Sequence, residues 1–250
     1  MTGRFSLHDL PGPEPRVEKR GDAAALAREA AALDVLGGPS WAPRLVSHTP
    51  GVLVSTRLPG APRDLSTLAP GDARRLGAVV AAAHAVAGSG EGGLWWWSTP
   101  AHTLAMYRAG RAADATAALA GSPGAGLPAR ALAVALPASG GDGPFRLCHG
   151  DLVAANVVWG PGGPALVDWE FWRMADPAED LAYLIGVNGL PPSVAAAVLE
   201  GYGDPSMPAR VASWVALVTA DAGGWYRAEG MDAEADRALA RARRHLGDPA

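Results

Sequence analysis

Two patterns of apolar residues divide the chain. Over the first sixty residues they form short runs broken by Pro and Gly. Residues 16–20 read as a strand, and 43–47 and 52–56 read as a hairpin about Pro50-Gly51. One helix interrupts them: Asp22 is placed to cap it, and 23–36 is dense in Ala and Leu. Beyond residue 59, long Ala-rich stretches predict helices over 72–87, 100–120, 128–136, 176–188, 192–202, 207–228 and 232–246. Residues 88–93, 121–126 and 137–144 read as Gly- and Pro-rich connections. Within the helical part, 157–159 and 165–167 read as two short strands joined by the turn Pro161-Gly162-Gly163-Pro164. The expected fold is α+β with two lobes. A small antiparallel sheet lobe spans 1–58, and a mainly helical lobe spans 59–250.

The densest chemistry lies around those two strands. Cys148-His149-Gly150-Asp151 is followed by Asn156, and 165–167 leads into Asp168-Trp169-Glu170. An Asp, an Asn five residues on, and a second Asp after an apolar run form the layout that phosphoryl transfer uses. Magnesium prefers hard oxygen ligands, which Asn156 and Asp168 supply, with Glu170 close by. A hairpin between the strands would bring Asn156 and Asp168 together. Asp151 would then face an acceptor hydroxyl, orient it and take its proton. Any one of these acids alone reads as a turn residue; the joint spacing favours a site.

The chain resembles the aminoglycoside phosphotransferase and choline kinase-like enzymes, which share a protein-kinase-like fold. Their catalytic loop reads His-Gly-Asp-x-x-x-x-Asn, matched by His149, Gly150, Asp151 and Asn156. Their following segment reads Asp-x-Glu/Asp and then Asp-Pro-x-x-Asp-Leu-Ala. It is matched by Asp168-Trp169-Glu170 and Asp176-Pro177-Ala178-Glu179-Asp180-Leu181-Ala182, with Ala175 where Gly is frequent. The resemblance spans roughly residues 3 to 190. It implies that Asp180 braces the catalytic loop. It also implies that the crossing near Arg57-Leu58-Pro59-Gly60 holds adenine through its backbone, which makes Ser55, Thr56, Arg57 and Leu58 candidates.

Composition sharpens one position. Lys19 is the only lysine; every other basic side chain is Arg. A strand lysine that grips phosphates pairs with a helix glutamate, and Glu29 lies inside the helix that follows. Lys19–Glu29 is therefore the expected ion pair. The family's strand–glycine loop–strand before the lysine has little room here. Residues 3–6 could be a remnant of the loop and 7–10 the strand after it, so the sheet should be abbreviated.

The acceptor is less legible. Trp172, Asp204, Trp214, Asp221, Trp225, Tyr226, Glu229 and Asp232 are candidates, with Glu170, Trp172, Asp221, Trp225 and Tyr226 preferred. A polycation needs convergent carboxylates, and a choline-like cation needs an aromatic cage; the C-terminal third offers some of each. His84 reads as a core histidine, and Trp95-Trp96-Trp97 as a loop plug or a substrate lip. A net charge of −4 argues against nucleic acid and anionic membrane as partners. The lone Cys148 fits a reducing compartment. With no signal-like segment and no apolar run near ~18 residues, the expected location is cytoplasmic. The resulting expectation is an ATP-dependent (or GTP-dependent) magnesium kinase for a small-molecule hydroxyl, monomeric or homodimeric. The alternatives are a catalytically weak binding module and a Ser/Thr kinase of a precursor peptide.

Overall fold

A computed structural model of the chain describes residues 5–86, 94–96, 99–101, 104–122, 124–135 and 145–248. The elements run β1 (Phe5–Leu10), β2 (Arg16–Gly21), α1 (Ala23–Leu36), β3 (Leu45–Thr49), β4 (Val52–Thr56), β5 (Ala61–Pro62) and α2 (Pro70–Ala85). They continue with β6 (Leu94–Trp96), β7 (Thr99–Ala101), α3 (Leu104–Ala118), α4 (Leu127–Ala135), β8 (Arg146–Cys148), β9 (Val157–Gly160), β10 (Gly163–Leu166) and β11 (Arg173–Ala175). The helices α5 (Pro177–Asn188), α6 (Pro192–Tyr202), α7 (Met207–Ala228) and α8 (Asp232–His245) complete the chain.

The first four strands form one antiparallel sheet in the order β1-β2-β4-β3. α1 packs against it because Leu26, Ala30 and Leu33 fall on one face at helical spacing. Asp22 caps the helix as expected, its carboxylate accepting from the Ala25 amide at 2.7 Å. The expected loop remnant at residues 3–6 is corrected. Phe5 and Ser6 belong to β1 and pair with Gly21 and Arg20, because the turn after Leu10 leaves both strands six residues to match. Residues 3 and 4 lie outside the described residues.

The helical part follows the predicted spans with shifts at the ends. α2 starts earlier than expected because Pro70 opens it, where its missing N–H is no loss. The helix expected over 100–120 is α3, shorter at its start because residues 99–101 pair with 94–96 as a strand. Trp95 and Trp96 lie in β6, and Trp97 lies outside the described residues. Asp176 caps α5 by accepting from Ala178 at 3.0 Å, with Pro177 in the first turn. α2 and α6 approach backbone to backbone. A Cβ on Gly77 would lie 2.0 Å from the Val198 carbonyl oxygen, so only Gly fits there.

One apolar cluster runs from Leu26, Leu33 and Leu53 beneath the sheet, through Leu147, Val157 and Leu166, to Leu181, Val198 and Trp214 among the helices. The sheet and the helices are thus joined through the β9–β10 hairpin. The Leu166 amide also donates to the Trp41 carbonyl at 2.8 Å. No described helix is long and apolar enough to cross a membrane.

Candidate active site

The β9–β10 hairpin sets the geometry. Its turn is Pro161-Gly162, tighter than expected, because Gly163 and Pro164 already pair with Gly160 and Trp159. That register carries Val157 opposite Leu166, and the Val167 amide donates to the Asn156 carbonyl at 3.0 Å. Asn156 and Asp168 are thereby held at the same end of the hairpin. Asp168 then turns sharply, with φ 65°, the one described non-glycine residue in the left-handed region. A residue there is strained and is retained where it aims a side chain.

Asp151 lies in the loop between β8 and β9. The Asn156 amide nitrogen donates to both its carbonyl oxygen and its Oδ2, each at 2.9 Å. Both bonds fix the amide orientation and turn the Asn156 carbonyl oxygen away from Asp151. The Tyr183 hydroxyl also donates to the Asp151 carboxylate. Burial pushes the Asp151 carboxyl above its ordinary value, against the opposing pull of His149, Tyr183 and Asn156. A raised carboxyl is a better proton acceptor.

The loop is braced from below by Asp180 on α5. Its carboxylate accepts from the amides of His149 at 2.5 Å and Gly150 at 2.9 Å, and contacts His84 Nε2 at 3.1 Å. Burial would raise this carboxyl, but the His84 contact, with His149 and Arg173, brings it below the ordinary range. His149 donates from Nε2 to the Val167 carbonyl at 2.9 Å, and its Nδ1 accepts from the Asp151 amide at 3.3 Å. Those partners set its tautomer and make it a stitch between the loop that carries Asp151 and the segment that leads into Asp168. Gly150 has φ 85°, and a Cβ there would meet the Phe171 carbonyl oxygen at 2.2 Å. No side chain fits there unless that carbonyl moves. Cys148 is buried and its thiol is pushed well up, which rules out a nucleophile.

Lys19 reaches across from β2. Its ammonium contacts Glu29 at 2.8 Å and Asp168 at 2.6 Å, and lies 4.2 Å from the Phe5 ring centre. Burial alone would lower Lys19; the two carboxylates outweigh it and hold the ammonium above its ordinary value. Glu29 is more deeply buried, and desolvation raises its carboxyl in spite of Lys19. Arg28 of α1 donates to the Glu170 carbonyl at 3.2 Å, and Trp172 Nε1 donates to the Arg28 carbonyl at 2.7 Å. α1 is thus tied to the segment that carries Asp168.

Of the crossing residues, Ser55 and Thr56 end β4, and the Arg57 amide donates to the Pro15 carbonyl at 2.9 Å. Leu58 follows just before β5, which pairs with β9.

A cavity of about 1330 Å³ opens beside Asp151, walled by α1, α3, α7 and residues 168–174. Glu170, Trp172, Asp221, Trp225 and Tyr226 all line it. Asp221 is ion-paired with Arg111, which also binds Glu179. Trp214 is a core residue whose indole N–H donates to Asp176 at 2.9 Å. Asp204 accepts from Ser206 in a turn, Asp232 pairs with Arg227, and Glu229 follows the end of α7; these four do not line the cavity.

Sequence reasoning missed Tyr183, Arg111 and Asn188. Asn188 accepts from the Ala154 amide at 2.8 Å and donates to the Leu152 carbonyl at 2.9 Å, a second brace on the catalytic loop. Helical spacing from Asp180 (residues 183 and 188 on α5) carried the signal for two of them.

A loop carrying Asp151 and a hairpin that joins Asn156 to Asp168, seated under a small antiparallel sheet, make up a protein-kinase-like fold. The chain belongs to the Phosphotransferase enzyme family (APH), whose profile matches residues 4–214. No curated protein sequence matches it significantly. Among solved structures it is similar to a putative fructosamine-3-kinase from Thermobifida fusca, with a TM-score of 0.73 and 22% identity, covering 99% of this chain and 91% of that one. It is also similar to choline kinase LicA from Streptococcus pneumoniae, with a TM-score of 0.72 and 17% identity over 99% and 90% of the two chains. A thermostable variant of aminoglycoside phosphotransferase APH(4)-Ia, in a ternary complex with ADP and hygromycin B, matches with a TM-score of 0.73 and 16% identity over 97% and 93%.

Proposed function

We propose that the chain transfers the γ-phosphoryl group of ATP to a hydroxyl of a small molecule. The observation that carries this reading is one cleft holding Asp151 beside Asn156 and Asp168 beside Lys19. Lys19, steadied by Glu29, is the point charge for the α- and β-phosphates, a role Arg fills poorly. The backbone from Ser55 to Leu58 would hold the purine, and GTP is the competing donor.

The donor set fits magnesium. Asn156 commits its amide nitrogen to Asp151, which leaves its oxygen as the ligand atom. The Asp168 side chain is 39% exposed, open to a ligand while touching Lys19. Glu170 stands two residues on, toward a second metal position or the substrate. When bound, magnesium neutralises charge on the phosphate oxygens. Asp151 orients the acceptor hydroxyl and takes its proton as the oxygen bonds to the γ-phosphorus; the bond to the β-phosphate oxygen breaks and ADP leaves. Tyr183 and Asn156 hold the Asp151 carboxylate in that orientation.

Calorimetric titration with ATP, with and without magnesium, tests the donor site. Magnesium-dependent binding that Asp168→Ala abolishes is the expected result. Equal binding by wild type and variant refutes the assignment of Asp168.

A further inference from the structure

We infer, resting on that reading, that Trp172 and Arg28 are positioning residues for the phosphoryl donor. Together they form a latch that keeps α1 against residues 168–172 while the nucleotide engages Lys19 and Asp168. Trp172, which the sequence offered as an acceptor contact, thereby serves the donor.

The contacts form a short ladder between α1 and the segment after Asp168. The Glu29 carboxylate accepts from the Trp169 amide. Arg28 Nε donates to the Glu170 carbonyl at 3.2 Å. Trp172 Nε1 donates to the Arg28 carbonyl at 2.7 Å. Arg28 thus gives one bond and takes one, both with the same short segment. A backbone carbonyl has two lone pairs, so accepting from Trp172 leaves room for the bonding of α1 itself. An indole has a single donor and no acceptor. The Trp172 ring lines the cavity, yet its one polar hydrogen is committed to α1.

Two features give the ladder its purpose. Asp168 stands at φ 65°, and a strained residue persists where its surroundings over-determine it. The chain before it is fixed by the Val167 amide on the Asn156 carbonyl. The rungs at 169, 170 and 172 fix the chain after it. The second feature is the Lys19 ammonium, which contacts both Glu29 at 2.8 Å and Asp168 at 2.6 Å. That double contact also ties α1 to Asp168. A nucleotide would draw on the same atoms, because the phosphates compete for the ammonium and the metal for the Asp168 carboxylate. The Arg28 and Trp172 bonds use neither group. They remain to hold α1, and with it Glu29, when the Lys19–Asp168 contact is given up.

The test is calorimetric binding of AMP-PNP with magnesium to the full chain and to Trp172→Phe, which removes the indole N–H and keeps an aromatic ring. Arg28→Met, which keeps the stem and removes the donor, is measured alongside. Each variant should bind about fivefold to tenfold more weakly than wild type, the loss expected of one hydrogen bond. Amide hydrogen exchange over residues 23–36, the span of α1, is the second readout. AMP-PNP with magnesium should slow exchange there in wild type and slow it less in both variants. If Trp172 serves the acceptor wall alone, Trp172→Phe keeps wild-type affinity and wild-type protection of α1. If it serves overall stability alone, the melting temperature falls while affinity stays at the wild-type value. Either result overturns the inference and leaves the phosphotransfer reading standing. A wild-type chain that fails to bind AMP-PNP refutes that reading itself, and the latch with it.

Discussion

Replacing Asp151 by Asn should make the protein more stable while abolishing its turnover. Burial raises the Asp151 carboxyl, so at neutral pH the folded chain holds an ionised group that its surroundings disfavour. Asn has nearly the same shape and no charge. Its carbonyl oxygen can still accept from Tyr183, and Asn156 keeps its bond to the residue 151 carbonyl. One hydrogen bond is lost, because two amide nitrogens would then face each other where Asn156 now donates to Oδ2. That loss costs about 0.5–1.5 kcal/mol and only partly offsets the relief of the buried charge. The net gain should be about 1 kcal/mol, typical where an active-site group sits at a cost to stability. For a chain of this length it amounts to about 2–4 °C in Tm. The sign follows from linkage. A carboxyl raised in the folded state favours folding when protonated, and that advantage is lost as pH rises through the folded pKa. The variant should therefore lead at neutral pH, and its lead should shrink as pH falls toward the ordinary aspartate range of about 4. Thermal unfolding of both proteins across that range measures it, with turnover expected to drop about a hundredfold or more. An Asn variant less stable than wild type at neutral pH, or a lead that widens on acidification, would refute the reasoning.

Two further substitutions probe the frame beneath the loop. Asp180→Ala leaves the His149 and Gly150 amides and His84 without their buried acceptor, and should cost about 3 kcal/mol by chemical denaturation. Because the Asp180 carboxyl is lowered in the folded state, its contribution is present above the ordinary aspartate range. The difference from wild type should therefore narrow as pH falls through that lowered value; a constant difference at acid pH contradicts the account. Gly150→Ala places a methyl against the Phe171 carbonyl at a positive φ, and should cost about 2–4 kcal/mol together with most of the turnover. A Gly150→Ala protein of unchanged stability would mean that the tight approach is relaxed in solution.

The fold was legible where local chemistry and periodicity agree. Asp22 is a capping side chain ahead of a helix-forming run, and its cap forms as the sequence predicts; Asp176, read as the first residue of a helix, caps it instead. Strand boundaries were harder, because a strand ends where its partner ends. Nothing local to Phe5 and Ser6 distinguishes a loop from a strand; their pairing with Gly21 and Arg20 decides it. Pro100 and Ala101 were absorbed into a helix for the same reason, since only the partner strand from Leu94 reveals them.

The site divides along the same line. Asp151, Asn156 and Asp168 were readable because one hairpin joins them within eighteen residues, and the turn between them has its own signal. Lys19 and Glu29 were readable because a lone lysine leaves no competitor for the role. The acceptor wall was not readable, because its character depends on pairs distant in sequence. Asp221 on α7 reads as a free carboxylate until Arg111 of α3 is brought against it. Glu179 is an unassigned position of the Asp-Pro segment in the sequence, and the fold buries it between Arg111 and Arg173. Of the acids that the sequence offered for the acceptor, Asp221 is thus held by an arginine inside the protein. Glu170 still lines the cavity beside Trp172, Trp225 and Tyr226, so the wall mixes a carboxylate with aromatic faces that only the folded chain brings together.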